Sequence, residues 1–144
     1  MTKYSVPIEI LELQDKDYHL FVIAYVGRNK IRLLIDTGAS RTVLSKDFCK
    51  KIKSIRLKNS EHSAAGLGTM TMQSWTTQIK TFRIGGIFLK NYSCGVLNLS
   101  HVNEVYQQLH LPTFDGILGC DVLVKYQMVI DLKRKQLNCT HPIL

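Results

Sequence analysis

The stretch of sequence that decides the fold is residues 33–40, which read LLIDTGAS. Three aliphatic residues lead to an acid, Asp36, at a point where the following side chains become abruptly small. A buried, unpaired carboxylate costs several kcal/mol, so Asp36 either caps a turn or has its pKa shifted for chemistry. Gly38 allows the backbone to approach the carboxylate closely, and Thr37 supplies a hydroxyl. Taken alone, the Asp-Thr-Gly triplet is also explained by an ordinary Asx turn.

Around this stretch, most of the chain is patterned as β-strand. The runs 20–26 and 31–35 are rich in β-branched and aliphatic residues, and the turn residues 27–30 (GRNK) between them predict a hairpin. Gly and Asn are both able to adopt positive φ in such a turn. A second hairpin is predicted where two glycines separate 82–84 from 87–89, because paired glycines suit a tight primed turn.

Two short helices are predicted between the strands. Ser45 can cap a segment in which Phe48 and Ile52 fall at helical spacing, and Ser100 can cap another that ends before Pro112. The apolar stripe of the second helix consists of Val102, Val105, Tyr106 and Leu109. For both helices we expect the apolar residues to pack in the core.

Length and composition indicate one domain spanning residues 1–144. A chain of this size with 45% apolar residues can bury a core without disulfides or a structural metal. The longest apolar run, 20–26, is far shorter than a membrane helix requires, so we expect a soluble protein with no membrane association. Acidic residues near the N-terminus replace the apolar stretch of an export signal. We therefore expect a cytoplasmic location, with a leader removed before this sequence begins as the alternative.

The cysteines and the net charge narrow the function further. The chain has no CxxC pair and no histidine spaced for a zinc site, so we expect four reduced thiols in packing roles. They are Cys49, Cys94, Cys120 and Cys139. The formal net charge of +8 favours acidic or polyanionic partners but carries no information about the fold.

A second segment, residues 114–123 (FDGILGCDVL), contains an apolar-apolar-Gly run about 80 residues after Asp36. Together the two segments resemble the retropepsin-like aspartic proteases. That family has an Asp-Thr/Ser-Gly-Ala/Ser turn at a strand end, a glycine-bearing flap hairpin, and a later apolar-apolar-Gly segment behind the active-site loop. Here these parts correspond to 36–39, to the region around 65–69 (AGLGT) and to 117–119. The resemblance covers roughly residues 20–137 and is closer to bacterial and cellular single-domain members than to viral ones.

The resemblance implies a mainly β fold: a closed β-barrel or sandwich, one lobe of the acid-protease fold, with a flap hairpin and two short helices. It implies aspartic endopeptidase activity with Asp36 as the catalytic residue. The other implied site residues are Thr37, Gly38 and Ala39 in the active-site loop, Gly66, Leu67 and Gly68 in the flap, and Ile117, Leu118 and Gly119 in the support segment.

Catalysis in this family needs two carboxylates facing one water, whereas this chain has a single Asp-Thr-Gly turn. The remaining candidates, Asp115, Asp121 and Asp131, do not sit in such a turn. The resemblance therefore implies a homodimer in which each protomer contributes one Asp36, with 2–7 and 132–144 as candidate interface segments. It implies an extended peptide or protein substrate and neither a metal nor another cofactor.

The chain departs from the retroviral pattern in three places. Ser40 stands where retroviral enzymes usually carry Asp, the flap has fewer glycines, and 90–114 is longer than the viral spacing. Met70, Met72 and Trp75 could either line a peptide groove or pack in the core.

Two other functions are compatible with parts of this sequence. A catalytically silent dimer of the same fold could bind a peptide or protein partner, although such a module has no physical need for an intact Asp-Thr-Gly turn. A basic β-barrel that binds nucleic acid rests on the net charge alone and is disfavoured.

Overall fold

The structure is a computed structural model that describes residues 2–60, 64–65 and 71–141. It confirms the mainly β fold. In these ranges the strands are β1 (Thr2–Pro7), β2 (Glu9–Leu13), β3 (Asp17–Val26), β4 (Asn29–Ile35), β5 (Val43–Ser45), β6 (Lys58–Asn59), β7 (Ala64–Ala65), β8 (Thr71–Met72), β9 (Ser74–Ile84), β10 (Ile87–Leu97), β11 (Gly116–Leu118), β12 (Val129–Asp131) and β13 (Gln136–His141). The helices are α1 (Lys46–Lys50), α2 (Ser100–Gln108) and α3 (Cys120–Lys125).

Six strands close into a barrel in the order β3-β4-β11-β5-β10-β9, and β9 pairs back to β3. Because the six strands close on themselves, the ring has no open edge. Two further strands lie outside the ring: β2 pairs with β3, and β6 pairs with β9. Alternate residues of each long strand point inward, as the period of two requires. The largest fully buried side chains of this core include Ile31, Leu33, Leu44, Ile79, Phe82, Ile84 and Ile87.

Both predicted hairpins are present. Gly27 adopts φ +58° in the β3–β4 turn, and Gly85 adopts φ +57° in the two-residue turn between β9 and β10. Asn29 does not adopt positive φ, because it is already the first residue of β4. Its side-chain amide instead donates to the Val26 carbonyl at 3.2 Å and so closes the turn.

Helix α1 begins as predicted. The Ser45 hydroxyl accepts a hydrogen bond from the Phe48 N–H at 3.4 Å, which caps the helix N-terminus. The helix ends at Lys50, so Ile52 lies beyond it and packs against the core from the following turn.

Helix α2 differs from the prediction in two respects. Ser100 is the first helical residue rather than the cap, and the Asn98 side chain accepts from its N–H at 2.9 Å. Val102 and Val105 are 44% and 51% exposed, so the predicted stripe is not buried as a whole. The physical reason is that α2 contacts the barrel through one aromatic side chain, Tyr106, which packs in a small cluster with Phe21, Leu99 and Phe114.

The two ends of the chain form a separate three-stranded sheet in the order β1-β13-β12. β1 pairs with β13 along its whole length, from Thr2 opposite His141 to Pro7 opposite Gln136. The participation of 2–7 and 132–144 in a subunit interface therefore stays a prediction. The four cysteines are free thiols, as expected. In the described ranges, no helix has the length and apolar character needed to cross a bilayer.

Substituting Gly86 tests how the terminal sheet is attached to the barrel. A Cβ at Gly86 would lie 2.1–2.6 Å from ring atoms of Tyr4. We expect Gly86→Ala to lower the free energy of unfolding by about 1–3 kcal/mol, because β1 must shift to relieve the overlap. In a Tyr4→Ala background the same substitution should cost less than about 1 kcal/mol. Urea unfolding of the four proteins measures this coupling, and strictly additive effects would contradict it.

Candidate active site

Asp36 lies directly after β4, in a tight turn. Its Oδ1 accepts a hydrogen bond from the Gly38 N–H at 2.8 Å, and its carbonyl accepts from the Ala39 N–H at 3.1 Å. A Cβ at Gly38 would lie 3.1 Å from Oδ1, which shows how closely the backbone approaches the carboxylate. Asp36 is half-buried and forms no ion pair with any other described residue. The turn therefore holds a carboxylate in a fixed orientation at the molecular surface.

The predicted support segment lies immediately behind this turn. β11 runs between β4 and β5, parallel to the first and antiparallel to the second. The Asp36 N–H donates to the Leu118 carbonyl at 3.1 Å, and the Cys120 N–H donates to the Ala39 carbonyl at 2.8 Å. Both ends of the turn are thus tied to one distant segment, and Ile117, Leu118 and Gly119 are brought next to 36–39.

A partly buried hydrogen-bond network fixes the other end of the loop. The Thr42 N–H and hydroxyl both donate to Asp121 Oδ1 at 2.8 Å, and the same hydroxyl accepts from the Gly119 N–H at 3.0 Å. The Tyr92 hydroxyl donates to Asp121 Oδ2. Burial raises the pKa of Tyr92, and this bond to a carboxylate acts in the same direction. A Cβ at Gly119 would lie 2.5 Å from the Arg41 carbonyl carbon, so only glycine fits there.

Sequence reasoning did not identify Thr42, Tyr92 or Asp121 as parts of this framework. The available signal was an acid two residues after the apolar-apolar-Gly run, which alone does not show which groups it binds. The other two acids considered as candidates for a second catalytic carboxylate, Asp115 and Asp131, also have structural partners. Asp115 accepts from the Arg32 N–H at 2.9 Å, and Asp131 accepts from the Arg134 N–H at 3.0 Å, a bond that lowers the pKa of Asp131.

The cysteines near the site have different environments. Burial raises the pKa of Cys94 to about 12 and that of Cys49 to about 11, so both are poor nucleophiles at neutral pH. The half-buried Cys120 thiol donates to the Thr37 carbonyl at 3.1 Å and thereby contacts the turn directly. Among the described residues, no three His, Cys, Asp or Glu side chains come together closely enough to hold a metal ion.

A groove of about 570 Å³ opens beside the turn. Its described lining combines loop residues with apolar and small polar side chains of the neighbouring strands. They are Gly38, Ala39, Ser40, Arg41, Val43, Ser60, Ser74, Trp75, Thr76, Ser93, Cys94, Gly95, Val96, Leu97 and Ile117. Trp75 both lines this groove and packs in the core, so the two predicted roles are combined in one side chain. A larger cavity of about 710 Å³ lies at the opposite end of β4.

The predicted flap falls largely outside the described residues. Ala64 pairs with Met72 and Ala65 with Thr71, which gives the two strands of a hairpin. Gly66, Leu67 and Gly68 lie outside the description, as does Met70, and their assignment to substrate binding stays a prediction.

Comparison with known proteins agrees with this geometry. The family model of the gag-polyprotein putative aspartyl protease matches residues 22–125. DNA damage-inducible protein 1 of Neurospora crassa is 29% identical over 122 residues, which make up 82% of this chain and 24% of that protein. The chain thus spans about a quarter of the length of this curated relative.

Three solved structures share the fold. A retropepsin-like aspartic protease from Rickettsia conorii aligns with a TM-score of 0.56 and 22% identity, over 96% of this chain and 94% of its own. The retroviral protease-like domain of Ddi1 from Leishmania major aligns with a TM-score of 0.57 and 17% identity, over 86% of this chain and 94% of its own. EIAV protease in complex with an inhibitor aligns with a TM-score of 0.56 and 18% identity, over 93% of this chain and 100% of its own.

Removing the Asp121 carboxylate tests the network that fixes the loop. Asp121→Ala should lower the free energy of unfolding by about 2–4 kcal/mol, because two donors of the buried Thr42 and the hydroxyl of the half-buried Tyr92 lose their acceptor. Asp121→Asn should cost less, since its amide oxygen can still accept from Thr42 and its NH₂ can donate to the Tyr92 hydroxyl. Asp47→Ala, at an exposed acid in the first turn of α1, should change stability by less than about 1 kcal/mol. Urea unfolding compares the three, and equal costs for Asp121→Ala and Asp47→Ala would contradict the assignment.

Proposed function

The chain belongs to the gag-polyprotein aspartyl protease family, and from this premise we propose that it is an aspartic endopeptidase whose catalytic dyad is formed by Asp36 from each protomer of a homodimer. The observation that carries the proposal is the half-buried Asp36 carboxylate, held by the Gly38 N–H at 2.8 Å beside a groove large enough for a peptide. An ordinary capping aspartate needs neither the groove nor the clamp between 36–39 and β11.

The need for a second protomer follows from the number of catalytic turns. The sequence contains one Asp-Thr-Gly, and the other candidate acids are occupied in structural hydrogen bonds. A twofold axis passing near Asp36 would bring two copies of the carboxylate together, so the site would exist only in the dimer.

Electrostatic repulsion determines the protonation of such a pair. Two carboxylates about 4 Å apart, at an effective dielectric near 20, repel by about 4 kcal/mol, which separates their successive ionisations by about three pKa units. The dyad therefore shares one proton over a range of acidic pH, as is known for aspartic proteases.

In the proposed reaction the ionised Asp36 accepts a proton from a bound water as the water attacks the scissile carbonyl carbon. The protonated copy donates a hydrogen bond to the developing oxyanion, and proton transfer to the amide nitrogen then allows the C–N bond to break. Water is consumed and no covalent enzyme intermediate forms.

The other predicted site residues have supporting roles in this proposal. Thr37 bridges to the loop of the second protomer, and Gly38 and Ala39 leave space for substrate beside the carboxylate. The substrate adds as an extended strand beneath the flap that contains 66–68, held by backbone hydrogen bonds and selected by side-chain pockets.

Substituting Asp36 tests the catalytic role. In a peptide-library digest between about pH 4 and pH 7, Asp36→Asn should lose cleavage by at least about a thousandfold while fold and dimer persist. Native activity should be highest at mildly acidic pH and fall as the second carboxyl loses its proton. Asp47→Asn serves as the control, because Asp47 is exposed on α1. Mass spectrometry of the products gives activity and preference, and unchanged cleavage by Asp36→Asn would refute the role.

Dilution tests the shared site. We expect specific activity to fall as the protein is diluted through the dissociation constant of the dimer, measured in parallel by analytical ultracentrifugation. Full activity of a strictly monomeric protein would contradict the dyad. A dimer that binds the library peptides without cleaving them would instead favour a catalytically silent peptide-binding module.

A further inference from the structure

Arg41 is the charged residue among the described residues that line the groove beside Asp36. The other lining residues supply apolar or neutral polar surface, and none of them is an acid. Arg41 is exposed and forms no ion pair with any other described residue. Arg41 therefore brings to the groove a guanidinium that has no ion-pair partner among the described residues.

The surroundings of the groove strengthen this positive charge. The Lys46 ammonium lies 4.1 Å from the centroid of the Trp75 ring, which itself lines the groove. Lys58 on β6 pairs with Thr76, another lining residue. On the Trp75 side, these two lysines are accompanied by one acid, Asp47, which follows Lys46 in the chain. The acids Asp36 and Asp121 lie at the turn and behind the loop. Unlike charges attract most strongly where water is excluded, as it would be beneath a bound peptide.

The backbone of Arg41 is rigidly placed. Gly119 packs so closely that a Cβ there would lie 2.6 Å from the Arg41 carbonyl oxygen. The next residue, Thr42, is held through its N–H and hydroxyl by Asp121, and its carbonyl accepts from the Cys94 thiol at 3.6 Å. A side chain on a fixed backbone can select a ligand group by its position, and it does so better than a side chain on a mobile loop.

The charge of Arg41 also reaches the strand side of the groove. Burial raises the pKa of the Cys94 thiol and the Asp121 carboxylate acts in the same direction, whereas Arg41 makes a smaller contribution that favours the thiolate. Cys94 lies on β10 and lines the groove, so the guanidinium is near enough to influence groups bound there.

We propose that Arg41 is a specificity-determining residue that selects extended peptides carrying an acidic side chain. Its guanidinium pairs with the acidic side chain, and an adjacent aliphatic or aromatic side chain of the peptide packs on the apolar floor of the groove. The floor is formed by the half-buried side chains of Val43 and Ile117. This inference rests on the proposed function for the groove but not on turnover. In a twofold-symmetric dimer each protomer presents one Arg41, so acidic residues are favoured on both sides of the central bond.

A binding experiment tests the selection independently of catalysis. The Asp36→Asn chain is titrated against a fluorescein-labelled positional-scanning library of octapeptides in which each position carries Glu, Gln or Lys in turn. At the preferred positions, Glu should bind at least about fivefold more tightly than Gln at low ionic strength, and the ratio should shrink in salt. Arg41→Glu should reverse the order so that Lys is preferred.

The matched control is Arg28→Glu, which changes the net charge equally but lies on the exposed β3–β4 turn at the opposite end of β4. It should leave the ratio of Glu to Gln affinities within about twofold of the parent. A ratio near one in the parent, equal responses to the two substitutions, or no saturable binding at all would overturn the inference. Cleavage of the same peptides by the native chain is scored separately, so loss of turnover with retained selectivity would count against the protease proposal alone.

Discussion

The constraint on which this structure depends is the hold that β11 and the residues after it exert on the loop from Asp36 to Thr42. A turn of small residues has few side-chain contacts of its own, and its backbone would otherwise be free to rearrange. Here hydrogen bonds from the Asp36 and Cys120 N–H groups close one end, and the carboxylate of Asp121 closes the other. Because these partners are 79–82 residues away in sequence, the loop acquires its shape only when the barrel closes.

Two aspartates illustrate how environment divides one residue type between two roles. Asp121 accepts two hydrogen bonds from Thr42 and one from Tyr92, so most of its acceptor positions are occupied and its carboxylate stabilises the fold. Asp36 accepts one hydrogen bond from the turn, at Gly38, and faces the surface beside a groove. A carboxylate that is oriented but not saturated retains lone pairs for water, which is the property that the proposed chemistry requires.

Local patterns predicted the parts of this fold that local physics controls. The paired glycines at the β9–β10 turn and the Ser45 cap were readable because each depends on a few consecutive residues. The apolar stripe of α2 was misread, since whether Val105 is buried depends on how much of the barrel surface the helix covers. The role of Asp121 was missed for the same reason, because its partners, Thr42 and Tyr92, come from two distant segments. The position of Asp36 at a strand end was predicted correctly. The second carboxylate of the proposed dyad would come from another chain, so it cannot be read from the fold of one protomer.

The terminal sheet limits how such an assembly can form. β13 is paired on both sides, with β1 and with β12, so it cannot add a strand from a second chain without giving up one of these neighbours. Displacing β1 would break the six residue pairs that it forms with β13 and would also remove the Tyr4 ring from its contact with Gly86. The outer edges of this sheet are those of β1 and β12, and exposed apolar side chains, Val129 and Leu132, lie on and beside β12. In the proposed dimer, an interface that preserves the fold of each protomer therefore uses these edges or the faces beside them. An interface with interleaved termini would instead replace the β1–β13 pairing within each chain by the same pairing between the two chains.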